Sequence, residues 1–97
     1  MLNTYCVVAN KSYGLFCGVI ETYDPVAGVA VLGQCRHVAQ WYGRVGGITS
    51  LAAHGLCGPR AGESRIGAAV KRATLTGVVN VFACSAEARA SHVAQRD

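Results

Sequence analysis

Three runs of β-branched and aromatic residues crowd the first third of the chain with little more than turns between them: TYCVVA at 4–9, GLFCGVIET at 14–22 and VAVLG at 29–33. Such residues suit a pleated, packed surface and read as strands. Asn10-Lys11-Ser12 reads as the first turn. Asp24-Pro25-Val26-Ala27-Gly28 reads as a hairpin loop, with Pro and Gly where turns want them. Connections this short join antiparallel neighbours. In the second run Leu15, Cys17 and Val19 face one way, and Phe16, Gly18 and Ile20 the other. Gly18 and Gly33, inside strand patterns, signal bulges or sharp bends. The third run can continue past Gln34 toward Trp41.

A glycine-rich loop follows, Tyr42-Gly43-Arg44-Val45-Gly46-Gly47. Residues 48–54 (ITSLAAH) predict a short helix, with Ile48, Leu51 and Ala52 on one side and Gly55 as its stop. Residues 55–65 read as a loop, and residues 74–84 (TLTGVVNVFAC) as one long strand. Ser85 is an expected N-cap, Glu87 suits the first-turn dipole, and residues 86–95 form an Ala-rich helix fraying into Gln95-Arg96-Asp97. The expected fold is α+β, mainly β. It is a small, strongly bent antiparallel sheet or SH3-like partial barrel with a short middle helix and a C-terminal helix, in a single domain over 1–97. A flat meander with helices on one face is the alternative.

Of the 97 residues 52% are hydrophobic and only 14% charged, where about 25% charged is usual. A chain this short buries roughly 60% of its unfolded surface. It must therefore expose apolar area if it stays alone, and large apolar patches mark contact sites. The expectation is a closed homo-oligomer; the alternative is a sticky monomer rich in Ala and Gly. The five cysteines, Cys6, Cys17, Cys35, Cys57 and Cys84, are widely spaced, without a C-x-x-C pair. No basic segment leading into an apolar run opens the chain, and no apolar stretch approaches the roughly 20 residues that span a bilayer. Reduced thiols in a cytoplasm fit this usage, with no membrane partner. The net charge is +4, and seven of the nine cationic residues are arginine, which suits bidentate capture of phosphate or carboxylate.

The sequence is poor in catalytic groups. Its acids, Glu21, Asp24, Glu63, Glu87 and Asp97, form no evident pair. Five Cys and three His sit in no recognised nucleophile signature. His54 and Cys57 make an H-x-x-C pair, but two ligands do not make a zinc site. The expectation is no catalytic residue, no metal and no cofactor. The most suggestive stretch is 36–50. It sets Arg36, His37, Trp41, Tyr42 and Arg44 before Gly46-Gly47-Ile48-Thr49-Ser50. Aromatic faces stack bases, arginines pair phosphate oxygens, and amides opening a helix attract anions. The stretch lacks the Lys-[ST] of a phosphate-binding loop and the order of a Rossmann fingerprint. The alternative is a core Trp beside a hairpin loop. A second basic group, Arg60, Arg65, Lys71 and Arg72, accompanies a glycine-rich loop over 58–67 that closes over a ligand, reaches a neighbouring subunit or is a solvated surface face. The expected ligand residues are Arg36, Trp41, Arg44, Gly46, Gly47, Thr49 and Arg65.

The segments YGLFCGVIE, GVAVLGQCRHVAQWYGRVGGITSLAAHGL, SRIG and TLTGVVNVFACSAEARASH resemble, in order and spacing, a group of small proteins of tailed bacteriophages and prophages. That group has a strand pair with an internal glycine and an (A/C)R-x-hydrophobic stretch. An aromatic pair ending in Trp, (S/T)-x-L-A-x-x-G and S-[KR]-[IF] follow, then a strand closing on P-C-[ST] before a short helix. Trp41-Tyr42 is the aromatic pair here, and Ala83-Cys84-Ser85 carries Ala where the group has Pro. The resemblance implies a phage or prophage origin and no particular activity.

Three functional expectations follow. One is a non-enzymatic binding protein that inhibits a host defence by sequestering a nucleotide or other anionic ligand at a subunit interface, in the host cytoplasm. Another is a virion or assembly protein, with host or virion proteins as partners. The third is a small-barrel nucleic-acid binder stacking bases on its aromatic surface.

Overall fold

The computed structural model describes residues 2–11, 14–42 and 47–96. Three strands, β1 (Tyr5–Asn10), β2 (Gly14–Asp24) and β3 (Val29–Gln40), form the expected meander. A short helix, α1 (Ile48–His54), follows, then a 3-10 turn at Ala61–Glu63 and a two-residue strand, β4 (Arg65–Ile66). Strands β5 (Val70–Leu75) and β6 (Val78–Ala83) and the helix α2 (Ala86–Ala94) complete the chain. The sheet is antiparallel, in the order β4-β3-β2-β1-β6, with β5 also on β3. It is the small, bent, mainly-β architecture with a middle and a C-terminal helix that the strand pattern predicts.

The hairpin loop forms as its sequence dictates. The Asp24 carboxylate accepts the amides of Val26 and Ala27 at 3.0 and 3.1 Å. The turn at Asn10-Lys11-Ser12 reaches into residues outside the described ones at Ser12.

The single long strand expected over 74–84 is two strands. Gly77 takes a positive φ of 64°, a region open to glycine and strained for most side chains. The chain turns a corner there, so that β5 pairs with β3 while β6 pairs with β1 on the far side of the meander. That corner curls the sheet. Lys11 donates its amide to the Gly77 carbonyl and Val78 donates to that of Gly28, which ties the corner to both hairpin ends.

Each face of the curl buries its own core. Cys6, Val8, Ile20, Ala30, Leu32, Cys35, Leu75 and Val78 pack inside it. Tyr5, Val7, Cys17, Val38 and Ile66 pack on the outside under Leu51 and Ala52 of α1. Strand β1 feeds both, which is why Tyr5, Cys6, Val7 and Val8 are all buried. The side-chain alternation expected of β2 holds: Leu15, Cys17 and Val19 join the outer core, Phe16 and Ile20 the inner.

The bend expected at Gly18 and Gly33 is a β-bulge. Gln34 and Cys35 on β3 lie opposite the single residue Gly18 on β2, and Gln34 takes a φ of 53°. A Cβ at position 18 would lie 2.8 Å from the Gly33 carbonyl oxygen and 3.3 Å from the Cys35 Cα, both backbone. Gly18→Ala therefore forces the strands apart and should lower stability by roughly 1–3 kcal/mol in urea unfolding.

Helix α2 starts where capping predicts, with the Ser85 hydroxyl accepting from the Ala88 amide at 3.0 Å. The same hydroxyl donates to the Ala53 carbonyl of α1, and Ser91 accepts the Leu56 amide, so the two helices are sewn together. No helix among the described residues is long and apolar enough to cross a membrane.

Candidate functional site

The sheet's bend leaves a cleft of about 750 Å³ between the end of β3, β4, the 3-10 turn and the C-terminus of α2. Its walls include His37, Gln40, Tyr42, Ser64, Arg65 and Arg96. The 3-10 turn is held by Gln95, whose side-chain amide donates to the Ser64 carbonyl at 2.9 Å. The Ser64 hydroxyl accepts the Tyr42 amide at 3.0 Å, which fixes the backbone of that tyrosine. On the other side Gly67 donates its amide to the His37 carbonyl and holds β4 against β3.

The charges in this cleft are asymmetric. Arg65 and Arg96 are exposed and, among the described residues, their guanidinium groups have neither an ion-pair nor a hydrogen-bond partner. The one carboxylate on the wall among the described residues, Glu63, is taken by Arg60 at 3.0 Å. The Arg60 guanidinium also lies 4.1 Å from the centre of the Tyr42 ring. This pair is exposed and adds little to stability, though it cancels the negative charge beside the cleft. Two uncompensated guanidinium groups against a tyrosine are suited to an anion.

Arg36 has a different post. It shares the outer face of β3 with Val38 and is buried. Its Nε donates to the Gly67 carbonyl at 2.7 Å and its Nη1 to that of His92 at 2.8 Å. Its Nη2 donates to the carbonyls of Ile66 at 3.2 Å and Gln95 at 2.7 Å. A cation at the C-terminal carbonyls of α2 is where the helix dipole wants one. The fork thereby pins α2 and β4 onto β3.

Beside Arg36 the imidazole of His92 is fully buried, its ring 5.9 Å from that of Tyr5, and neither nitrogen has a hydrogen-bond partner. Burial, and then the neighbouring Arg36 charge, lower its pKa to about 4. The core thiols are shifted the other way. Burial raises those of Cys6 and Cys17, and carries Cys35 to about 11 and Cys84 to about 12. These four thiols stay protonated at neutral pH and are poor nucleophiles. Tyr5, also buried and against Cys17, has its phenol pushed well above the ordinary range.

A second hollow of about 250 Å³ opens between α2 and the β3 bulge, against Tyr5, Val19, Ala69, Arg89 and Val93. Its lining is mainly apolar, with the Arg89 guanidinium 5.3 Å from the centre of the Tyr5 ring.

The sequence profile of a family described as a domain of unknown function, DUF6948, matches residues 3–92. The chain belongs to the DUF6948 family. No curated protein and no solved structure is significantly similar to it.

The expected ligand residues of this DUF6948 domain are dispersed. Arg65 stands in the cleft. Arg36 is turned into the fold. Trp41 is half-buried and packs against the outer core, so it serves that core at least in part. Gly47 caps α1 through its backbone with no side-chain bond, and Thr49 is exposed in the first turn of a helix only seven residues long. Arg44 and Gly46 lie outside the described residues. Of the second basic group, Arg72 is paired with Glu21 at 2.8 Å on the sheet and Arg60 with Glu63. The glycine-rich loop over 58–67 supplies the 3-10 wall of the cleft. Gln40, Tyr42 and Arg96 enter the site without having been singled out as ligand residues. Tyr42 carried a signal, beside Trp41 in the aromatic pair; Arg96 reads in sequence only as a fraying end.

Proposed function

We propose that this chain is a non-catalytic binding protein whose cleft between β3, β4 and the end of α2 captures a nucleotide or similar small anion. The observation that carries the reading is the guanidinium pair of Arg65 and Arg96, both without partners among the described residues, on a concave wall whose one carboxylate among those residues, Glu63, is already neutralised by Arg60. Concave sites with a few converging polar groups are where small ligands bind. The non-catalytic reading is supported by core thiols held protonated and by a buried histidine held neutral. Five free cysteines suit a reducing cytoplasm. The likeness to tailed-phage proteins gives such a binder a role, withdrawing a nucleotide signal from a host defence.

Self-association belongs to the same proposal. Val70, Val79 and Val93 are exposed by half or more, and the outer edge of β6 carries no charge to discourage pairing.

Calorimetric titration with adenosine 5′-monophosphate at low salt tests the cleft. Binding is expected, and Arg65→Ala should weaken it roughly 10- to 100-fold, the value of a hydrogen bond to a charged group. Equal affinity in wild type and Arg65→Ala would move the site elsewhere.

A further inference from the structure

The hydroxyl of Tyr42 is held in an unusual balance. Its oxygen accepts from Gln40 Nε2 at 2.7 Å and from Arg60 Nη2 at 3.0 Å. A hydroxyl oxygen offers two acceptor positions and one proton. Both acceptor positions are filled by flanking side chains, so the group's remaining capacity is its O–H. Among the described residues that proton has no acceptor. Tyr42 lines the cleft together with Arg65 and Arg96, whose guanidinium groups also only donate. The Glu63 carboxylate, also on the cleft wall, is bonded through both oxygens to Arg60, at 3.0 and 3.3 Å. One arginine thus performs two tasks: it orients the phenol and silences the acid.

We propose that Tyr42 recognises a phosphate monoester group on the ligand, donating its O–H to a phosphate oxygen while Arg65 and Arg96 balance the charge, with Gln40 and Arg60 as positioning residues for the hydroxyl. The charge count favours this class. Two unpaired guanidinium groups match a group that carries roughly −1.5 to −2 at neutral pH and presents three acceptor oxygens. A single carboxylate would leave one cation unbalanced. This inference rests on the cleft reading above and narrows it to one functional group.

The test compares adenosine 5′-monophosphate with adenosine on wild type, Tyr42→Phe and Arg60→Ala. Both substituted side chains are at the surface or keep the ring, and thermal unfolding confirms that each variant is folded. Wild type should bind the nucleotide and take up adenosine hardly at all. Tyr42→Phe should weaken nucleotide binding roughly 10-fold or more, as loss of a donor to a charged acceptor does. Arg60→Ala should weaken it in the same direction, by freeing the hydroxyl and unmasking Glu63. Nucleotide affinity unchanged in Tyr42→Phe but lost in Arg65→Ala overturns the role of Tyr42 and leaves the cleft in place. Adenosine binding as tightly as the nucleotide overturns the phosphate assignment. Binding of neither compound to wild type overturns both readings together.

Discussion

Arg36→Met should cost this domain a large part of its stability while leaving the side-chain volume nearly intact. The guanidinium bonds four carbonyls, and two of them, those of His92 and Ile66, meet it in a buried setting. Removing the donors leaves the buried Ile66 carbonyl unsatisfied and takes the charged donor from that of His92, which keeps only the Gln95 amide at 3.3 Å; at about 1–3 kcal/mol each, the two losses come to roughly 2–6 kcal/mol together. The carbonyls of Gly67 and Gln95 lie nearer water and can rehydrate. A domain holds only about 5–15 kcal/mol in all. Urea unfolding should show a midpoint shifted far down with the slope preserved. Arg36→Lys should recover little of it, because an ammonium cannot reproduce a planar fork that reaches α2 and β4 at once. A wild-type midpoint in Arg36→Met would mean that the fork is not what pins the C-terminal helix.

The second large effect is acid destabilisation through His92. Its folded pKa is lowered to about 4, while an unfolded histidine titrates near 6.5. Above pH 6.5 both states are neutral and the group is without effect. Below it the unfolded chain takes a proton that the folded one refuses, so stability falls as pH drops from 6.5 to 4 and then levels. A shift of this size is worth roughly 3 kcal/mol over that window. Burial is the main cause and Arg36 the second, so the two predictions are coupled. With Arg36→Met the charge beside His92 is gone, and the pH dependence should become shallower. His92→Leu should abolish it at modest cost at pH 7, because the imidazole nitrogens make no hydrogen bonds to lose. Chemical denaturation at several pH values reads both. Parallel curves for wild type and His92→Leu between pH 6.5 and 4 would place the acid sensitivity on other groups.

Arg36 shows where sequence reasoning stops. In the chain it stands next to His37, a few residues from Trp41 and Tyr42, and has the look of a ligand residue. What engages it lies 30 to 59 positions away, at β4 and at the end of a helix whose docking no local pattern announces. The meander was legible because each strand signals itself locally, through β-branched runs, the Asp24-Pro25 turn and the alternation of β2. The corner at Gly77 was not. A glycine within TLTGVVNV looks the same whether a strand bulges or breaks, and only the demand that β5 join β3 while β6 joins β1 decides. The cleft was half legible. Arg65 and the long loop beside it drew attention through charge and glycine content. The arrangement of Tyr42, Gln40, Arg60 and Glu63 depends on the loop folding back over the end of β3, a contact across 18 residues that spacing does not encode.

Nuclear magnetic resonance mapping with adenosine 5′-monophosphate locates the bound anion residue by residue. A nucleotide in the cleft should shift the signals of Gln40, Tyr42, Ser64, Arg65, Gly67 and Arg96 and leave the inner core of Val8, Ile20 and Leu32 unmoved. Shifts gathered instead around Tyr5, Arg89 and Val93, or no shifts at any nucleotide concentration, would contradict that placement.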